Sequence, residues 1–297
     1  MLAGGLQPSC VKMGPVANFL ARCLLVNKPP IRVGIGGWNY APWRETFYPE
    51  KLPASKELAW ASRQVSMIEI NSTFYGSQKP STFAKWRNDT PENFVFSVKA
   101  SRYATTRRVL AESGDSVHRF IHSGIAELGP KLGPLVWQFA DTKVFDAADL
   151  AAFLDMLPTE VDGLPLRHVL DVRHPSFAVP EYLALAREHS VATVFADSDD
   201  YPVFADLTGP FVYARLMRTQ PTLKAGYAPK ALDAWAEVAQ RWQAGGEPAD
   251  LPRVEPPGKA GRPREVFMLF IAGAKEKAPL AAQALLQRLG WEPPPPL

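Results

Sequence analysis

Residues 167–198 read RHVLDVRHPSFAVPEYLALAREHSVATVFADS, one complete structural unit. Arg167–His174 and Ala192–Ser198 are continuous apolar runs rather than alternating ones, as in strands covered on both faces. Between them, Pro180–His189 carries apolar residues at three- and four-residue spacing. Pro180-Glu181 is a helix-start signal, so the spacing predicts a helix there. A strand, a helix and a strand in this order form one parallel β/α unit.

The unit recurs along the chain. Similar runs occupy Ile31–Trp38, Ser66–Phe74, Phe94–Ala100, Leu135–Ala140, Phe211–Leu216 and Glu265–Ala272. Helical spacing covers Lys56–Gln64, Ser81–Asn88, Ser116–Leu128, Ala147–Leu157, Pro229–Gln243 and Ala278–Leu289, with start signals at Pro80-Ser81 and Asp146. Eight such units predict an α/β fold, a single TIM-type (β/α)8 barrel with its site at the carboxyl ends of the strands. The 297 residues suit one barrel, for which about 250 is typical, although length alone also fits two ordinary domains.

The barrel is placed at residues 31–297, with two irregularities. Asp199 to Pro210 is too short for a full crossover helix, so a helix is expected to be short or missing between strands six and seven. Residues 244–264 are rich in Gly, Pro and charge, and read as a mobile surface insertion. Residues 1–30 read as a poorly ordered extension without a clear signal peptide, with Met13 an alternative start.

Apolar residues make up 46% and charged residues 21%, enough for a substantial core. With 33 basic and 30 acidic residues the formal charge is only +3, too mild to point to nucleic acid by itself. Cys10 and Cys23 form neither a disulfide framework nor a zinc spacing, and the cysteine-free remainder fits a cytoplasmic location. No run approaches the ~18 apolar residues of a membrane span, so no membrane partner is expected.

The chemistry lies where the runs turn polar. Strand one leads into Trp38-Asn39-Tyr40. Strand two carries Glu69 and Asn71 two apart, which places both on one face, followed by Tyr75. Strand three ends with Lys99, then Arg102. Strand four ends with Gln138. Strand five carries Asp171 and Arg173, then His174; strand six ends with Asp197; strand seven carries Tyr213 and Arg215. In a TIM barrel these ends converge on one opening. Charged groups placed there need partners, and mutual pairing with a purely structural role is the alternative reading.

Glu69 and Lys99, on neighbouring strands, are the most suggestive pair, because a carboxylate beside an ammonium in a dry pocket suits acid–base work. Arg173 and Arg215 read as a clamp for a carboxylate or phosphate, with Arg102 and Arg218 extending a cationic rim. Asp171 and Asp197 would hold the arginines, with Tyr213 in support. Asn71, Tyr75, Gln138, His174 and Trp38 would bind and orient the substrate. The other histidines (118, 122, 168 and 189) fall on helices or strand starts and read as structural or exposed.

No cofactor is expected, because no dinucleotide motif, phosphate loop or nucleophile elbow is present. A divalent metal on Glu69, Asp171, Asp197 and His174 is the lesser alternative, disfavoured because His174 is the sole histidine at the mouth. From Lys85 to Arg108, six basic residues (Lys85, Arg87, Lys99, Arg102, Arg107 and Arg108) stand among aromatics. A nucleic-acid patch is possible there but disfavoured against a solvated face, since strand alternation would hide half of it.

These residues resemble a known family, the domain of unknown function 72, also called YecE-like. The resemblance runs from about Val33 to Leu289. It rests on Gly36-Gly37-Trp38, Phe47-Tyr48-Pro49, Ile68–Tyr75 (IEINSTFY), Phe94–Lys99 (FVFSVK), Gln138, Arg173-His174-Pro175, Ala196-Asp197-Ser198 and Val212–Leu216 (VYARL). It implies a TIM barrel and no particular reaction. The chain departs from the usual pattern twice: Met217-Arg218 replace His-Gly after strand seven, and Ile271-Ala272-Gly273 replace a pair of asparagines after strand eight.

The expectation is therefore an enzyme of hydrolase, lyase or isomerase type acting on a small anionic molecule. Glu69 would be base or acid, and Lys99 its electrostatic partner or proton donor. A nucleic-acid-processing or -binding barrel, and a barrel that binds without catalysis, are the alternatives.

Overall fold

Each apolar run becomes a strand whose two faces meet different neighbours, the barrel interior and the helical jacket. The computed structural model describes residues 29–296. The expected extension therefore lies outside the described residues except for Pro29 and Pro30. The barrel strands are β1 (Ile31–Gly36), β2 (Met67–Ile70), β3 (Val95–Lys99), β4 (Leu132–Gln138), β5 (His168–Asp171), β6 (Ala192–Asp197), β7 (Val212–Leu216) and β8 (Val266–Phe270). They form a closed parallel barrel in which β1 pairs with β8, in register from Ile31 opposite Val266 to Ile35 opposite Phe270.

The connections include α1 (Glu57–Ala61), α2 (Ser72–Tyr75), α3 (Pro80–Asp89), α4 (Arg102–Thr105), α5 (Gly114–Ile121), α6 (Ala147–Asp155), α7 (Pro180–Glu188), α8 (Pro229–Gln243) and α9 (Ala278–Arg288). The start signals act as expected. Pro80, Pro180 and Pro229 each occupy the first turn of a helix, where the missing N–H costs nothing. Asp146 caps α6 by accepting from Asp149 N at 2.9 Å.

No helix lies between β6 and β7. The gap is covered instead by the segment read from sequence as a loose insertion, whose middle is tied down. Asp206, itself buried, accepts from the backbone N–H groups of Val254 and Glu255 at 2.8 and 3.0 Å, and Ala205 N donates to Pro252 O at 2.8 Å. The Gly/Pro-rich stretch thus occupies the side of the barrel that a crossover helix would otherwise close.

Strand parity divides the interior into two levels. Met67, Val95, Val136, Val169, Val194, Tyr213, Phe267 and Leu269 form one buried apolar cluster. Two residues further along β2, β4, β5 and β7 stand Glu69, Gln138, Asp171 and Arg215, and Ser97 and Lys99 continue the inward face of β3. An apolar floor therefore lies beneath a polar level at the carboxyl ends of the strands.

On β1 the corresponding positions are Gly34 and Gly36. A Cβ at Gly34 would sit 1.9 Å from the carbonyl oxygen of Met67, its register partner on β2, so only glycine allows the two backbones to pair. Because backbone cannot yield as a side-chain tip can, Gly34→Ala is expected to cost at least about 3 kcal/mol. Urea unfolding of the variant, or its failure to accumulate as soluble protein, checks this.

Candidate active site

Arg215 is the centre of the polar level. Its Nη2 donates to Glu69 Oε2 at 2.6 Å, and its Nη1 donates to Asp171 Oδ2 at 2.5 Å and to Gln138 Oε1 at 3.1 Å. Glu69, Asp171 and Arg215 are all buried. Burial works against the Arg215 charge, but the two carboxylates outweigh it and hold its pKa above the ordinary arginine value.

Tyr213 OH donates to Glu69 Oε2 at 2.7 Å. The Ser97 hydroxyl lies 2.8 Å from the same phenol oxygen and, since that oxygen's proton goes to Glu69, Ser97 is the donor. Burial, reinforced by the Glu69 charge, raises the Tyr213 pKa well above its usual value and keeps it a neutral donor. Glu69 Oε2 is therefore doubly held, whereas its Oε1 is buried with no hydrogen-bond partner.

Arg173 stands just beyond β5. It donates through Nη2 to Asp171 Oδ2 at 3.1 Å and to Gln138 Oε1 at 2.8 Å, and through Nη1 to Tyr201 OH at 3.0 Å. Its guanidinium also lies over the Tyr201 ring, 4.3 Å from the centroid. The two arginines are thus held by Asp171 and Gln138; Arg215 uses both terminal nitrogens, while its Nε is buried without a hydrogen-bond partner.

Lys99 differs from its neighbours. Its ammonium makes no hydrogen bond or ion pair among the described residues and lies 4.2 Å above the centroid of the Phe74 ring. Burial lowers its pKa from 10.5 to about 8; Arg215 and Arg173 act in the same direction, while Glu69 and Asp171 oppose it. Two carboxylates here face three cations, and Lys99 is the one without a fixed partner.

The remaining sequence candidates are distributed around this level. Asn71 was expected on the strand beside Glu69, but β2 ends at Ile70 and Asn71 has helical dihedrals. Its amide nevertheless reaches back to Glu69 O at 3.4 Å. Together with Trp38, Trp86 and Lys275 it lines a cleft of about 390 Å³. Tyr75 is 66% exposed at the rim, away from the charged groups.

Asp197 does not hold Arg173 or Arg215. It shares strand parity with Phe195, whose side chain packs towards α8, and so faces outwards; it pairs with Arg218 at 3.3 Å and accepts from Tyr227 OH at 3.3 Å. Burial raises its pKa, and the Arg218 charge only partly offsets this. His174 turns its Nδ1 to Ser176, 2.8 Å from Oγ, and caps the short helical turn at Pro175–Phe177. Arg102 lies exposed over Tyr103. Among the described residues no three His, Cys, Asp or Glu side chains are grouped as metal ligands, and Glu69, Asp171, Asp197 and His174 do not converge.

Three participants were not anticipated from sequence. Ser97 was legible in principle, because it lies two residues before Lys99 on the same face. Phe74, the ring beneath Lys99, stands in the short helix α2, and Tyr201, the partner of Arg173, in the loop after β6, segments that do not continue the strand period.

Two variants test this arrangement. Below about pH 8 the folded protein carries a desolvated Lys99 ammonium, whereas the unfolded chain holds its proton up to 10.5. Lys99→Met is therefore expected to stabilise the protein at pH 7 by on the order of 1–3 kcal/mol, the gain fading as pH rises from 8 to 10.5. Urea unfolding at both ends of that range measures it. Arg215→Met, which leaves two carboxylates buried without their cation, is expected to lose about 3–5 kcal/mol. Adding Glu69→Gln and Asp171→Asn should recover part of that loss in the same assay.

Comparison with known proteins agrees with this architecture. The model of the family described as "Protein of unknown function DUF72" matches residues 32–296. The UPF0759 protein YecE of Escherichia coli (strain K12) is 28% identical over 150 residues, 50% of this chain and 50% of YecE. The UPF0759 protein YunF of Bacillus subtilis (strain 168) is 34% identical over 158 residues, 51% of this chain and 54% of YunF. The chain thus spans about half the length of the curated relatives it matches. The crystal structure of a DUF72 family protein from Thermotoga maritima superposes with a TM-score of 0.68 at 20% identity, covering 88% of this chain and 99% of that one. At that identity the likeness speaks for the fold, and the family match over residues 32–296 speaks for descent: this chain belongs to the DUF72 family.

Proposed function

We propose that this barrel is an enzyme that moves a proton on a small carboxylate- or phosphate-bearing substrate bound at its mouth. One observation carries the reading: Lys99, with a pKa near 8 and no fixed partner, lies in the same polar level as a Glu69 oxygen that is buried and unpartnered. A structural ion-pair network satisfies its members, and this one leaves an ammonium and a carboxylate oxygen unspent.

The roles follow from which atoms remain free. As an ammonium, Lys99 attracts the substrate anion; near neutral pH its lowered pKa lets it exchange a proton at little cost. Glu69, oriented by Arg215 and Tyr213, offers Oε1 as the proton acceptor. Gln138 accepts from both arginines through Oε1, which leaves its amide N–H groups to donate to the substrate. Arg173, less deeply buried than Arg215, provides the second positive edge, and the cleft beside Asn71 and Trp38 receives the rest of the molecule. Arg215 here orients the carboxylates and does not clamp the anion, and Tyr75 meets the substrate at the entrance.

A mixture of candidate substrates suffices for the test. Incubation in D2O with 2-hydroxy acids, sugar acids and sugar phosphates together, followed by proton NMR, should show loss of one C–H signal. Lys99→Met and Glu69→Gln should each slow that exchange by about 10²- to 10⁴-fold. In parallel, inorganic phosphate or oxalate should raise the melting temperature at pH 7 in the wild type and leave Lys99→Met unmoved. Anion binding without exchange would favour a barrel that binds without catalysis. Stabilisation that persists in Lys99→Met would overturn the assignment.

A further inference from the structure

The large apolar side chains exposed on the described surface are Tyr75, Tyr103, Val109 and Val144, at 66%, 58%, 39% and 55% exposure. All four stand on the connections that leave β2, β3 and β4, three adjacent loops on the side of the barrel that bears the mouth. Exposed apolar groups scattered singly need no explanation, whereas their confinement to one arc of the rim does.

The same loops carry Arg102, Arg107 and Arg108, all exposed and none in an ion pair among the described residues. The cluster expected from Lys85 to Arg108 is dispersed by the fold: Lys85 pairs with Asp89 on α3, and Lys99 enters the barrel. What remains gathers around Tyr103. The Arg102 guanidinium lies 5.3 Å from the Tyr103 centroid, and Arg107 Nε donates to Tyr103 O at 3.0 Å.

This loop is also held in place from behind. Asp149 of α6 accepts from Leu110 N at 3.0 Å, from Ala111 N at 2.8 Å and from Lys143 Nζ at 2.5 Å, and Lys143 Nζ donates to Arg108 O at 2.7 Å. Glu112, Asp141 and Asp146 share the arc and match the three arginines in number, but Asp146 is engaged in capping α6, and the loop after β3 carries Glu112 alone, up to Ser113, against its three arginines. The fixed loop separates two clefts of about 340 and 660 Å³; Tyr103 lines the first, and Arg107 and Arg108 line the second.

We infer that this arc is a docking surface for single-stranded nucleic acid, with bases stacked on Tyr75 and Tyr103 and phosphates held by Arg102, Arg107 and Arg108. An acidic peptide would use the arginines and leave the tyrosine rings idle. A polymer that alternates phosphates with flat aromatic groups uses both, and a pre-ordered loop lowers the entropy cost of holding it. The surface shares no residue with the Lys99–Glu69 chemistry, apart from Tyr75 at the entrance, and stands independently of it.

Fluorescence anisotropy with labelled dT and rU oligomers of about 12 nucleotides tests the surface. Binding is expected at low salt and should weaken steeply as salt rises. Arg107→Ser combined with Arg108→Ser should reduce the slope of log Kd against log salt by about two phosphate contacts. Tyr103→Ala should weaken binding by roughly 5- to 100-fold without changing the melting temperature. The tighter of the two oligomers identifies the polymer as DNA or RNA. Absence of binding at low salt would overturn the inference, as would duplex bound as tightly as single strand with the tyrosine variant silent. Retention on vesicles of phosphatidylcholine and phosphatidylserine in equal parts, without retention of oligomers, would reassign the arc to lipid headgroups.

Discussion

The guanidinium of Arg215, lodged between the carboxylates of Glu69 and Asp171, is the constraint on which the polar level rests. A buried carboxylate without a cation is costly, and two facing each other inside one barrel would be more so. Arg215 removes that cost by dividing its two terminal nitrogens between them. It also fixes the side on which each carboxylate has an unoccupied oxygen. Glu69 is held through Oε2 by Arg215 and Tyr213, so its second oxygen is the one left over.

The position of Lys99 follows from that pairing. With Asp171 shared by two arginines and Glu69 held through Oε2 by Arg215 and Tyr213, neither carboxylate pairs with the lysine, which rests over the Phe74 ring instead. Desolvation then acts on its charge with little compensation, and the pKa falls to about 8. A stabilising network elsewhere in the layer thus leaves a desolvated ammonium without a partner at its edge.

The rim obeys a different rule. The strand ends impose the geometry of the mouth, whereas the loops after β2, β3 and β4 decide what lies around it. Asp149 of α6 and Lys143 of the loop before it order one of those loops, and its arginines and tyrosine project outwards from a fixed base. Function in barrels is commonly built this way, with a rigid scaffold positioning variable loops.

Hydrophobic period alone determined the barrel. The eight continuous runs, the seven helical segments, the missing helix before β7 and most of the strand-end residues are local consequences of burial on one or both faces. Parity along β3 likewise places Ser97 and Lys99 on one face, whereas the turning of Asp197 towards α8, away from the mouth, came only with the fold. What the tertiary structure decided was pairing. Which cation meets which carboxylate depends on distances across the barrel, between residues as far apart as Glu69 and Arg215, and no local pattern encodes them. The same holds for the loops. Phe74 beneath Lys99, Tyr201 against Arg173 and the anchoring of residues 251–255 on Asp206 arise where the backbone leaves its regular period, and only the folded chain brings those atoms within reach.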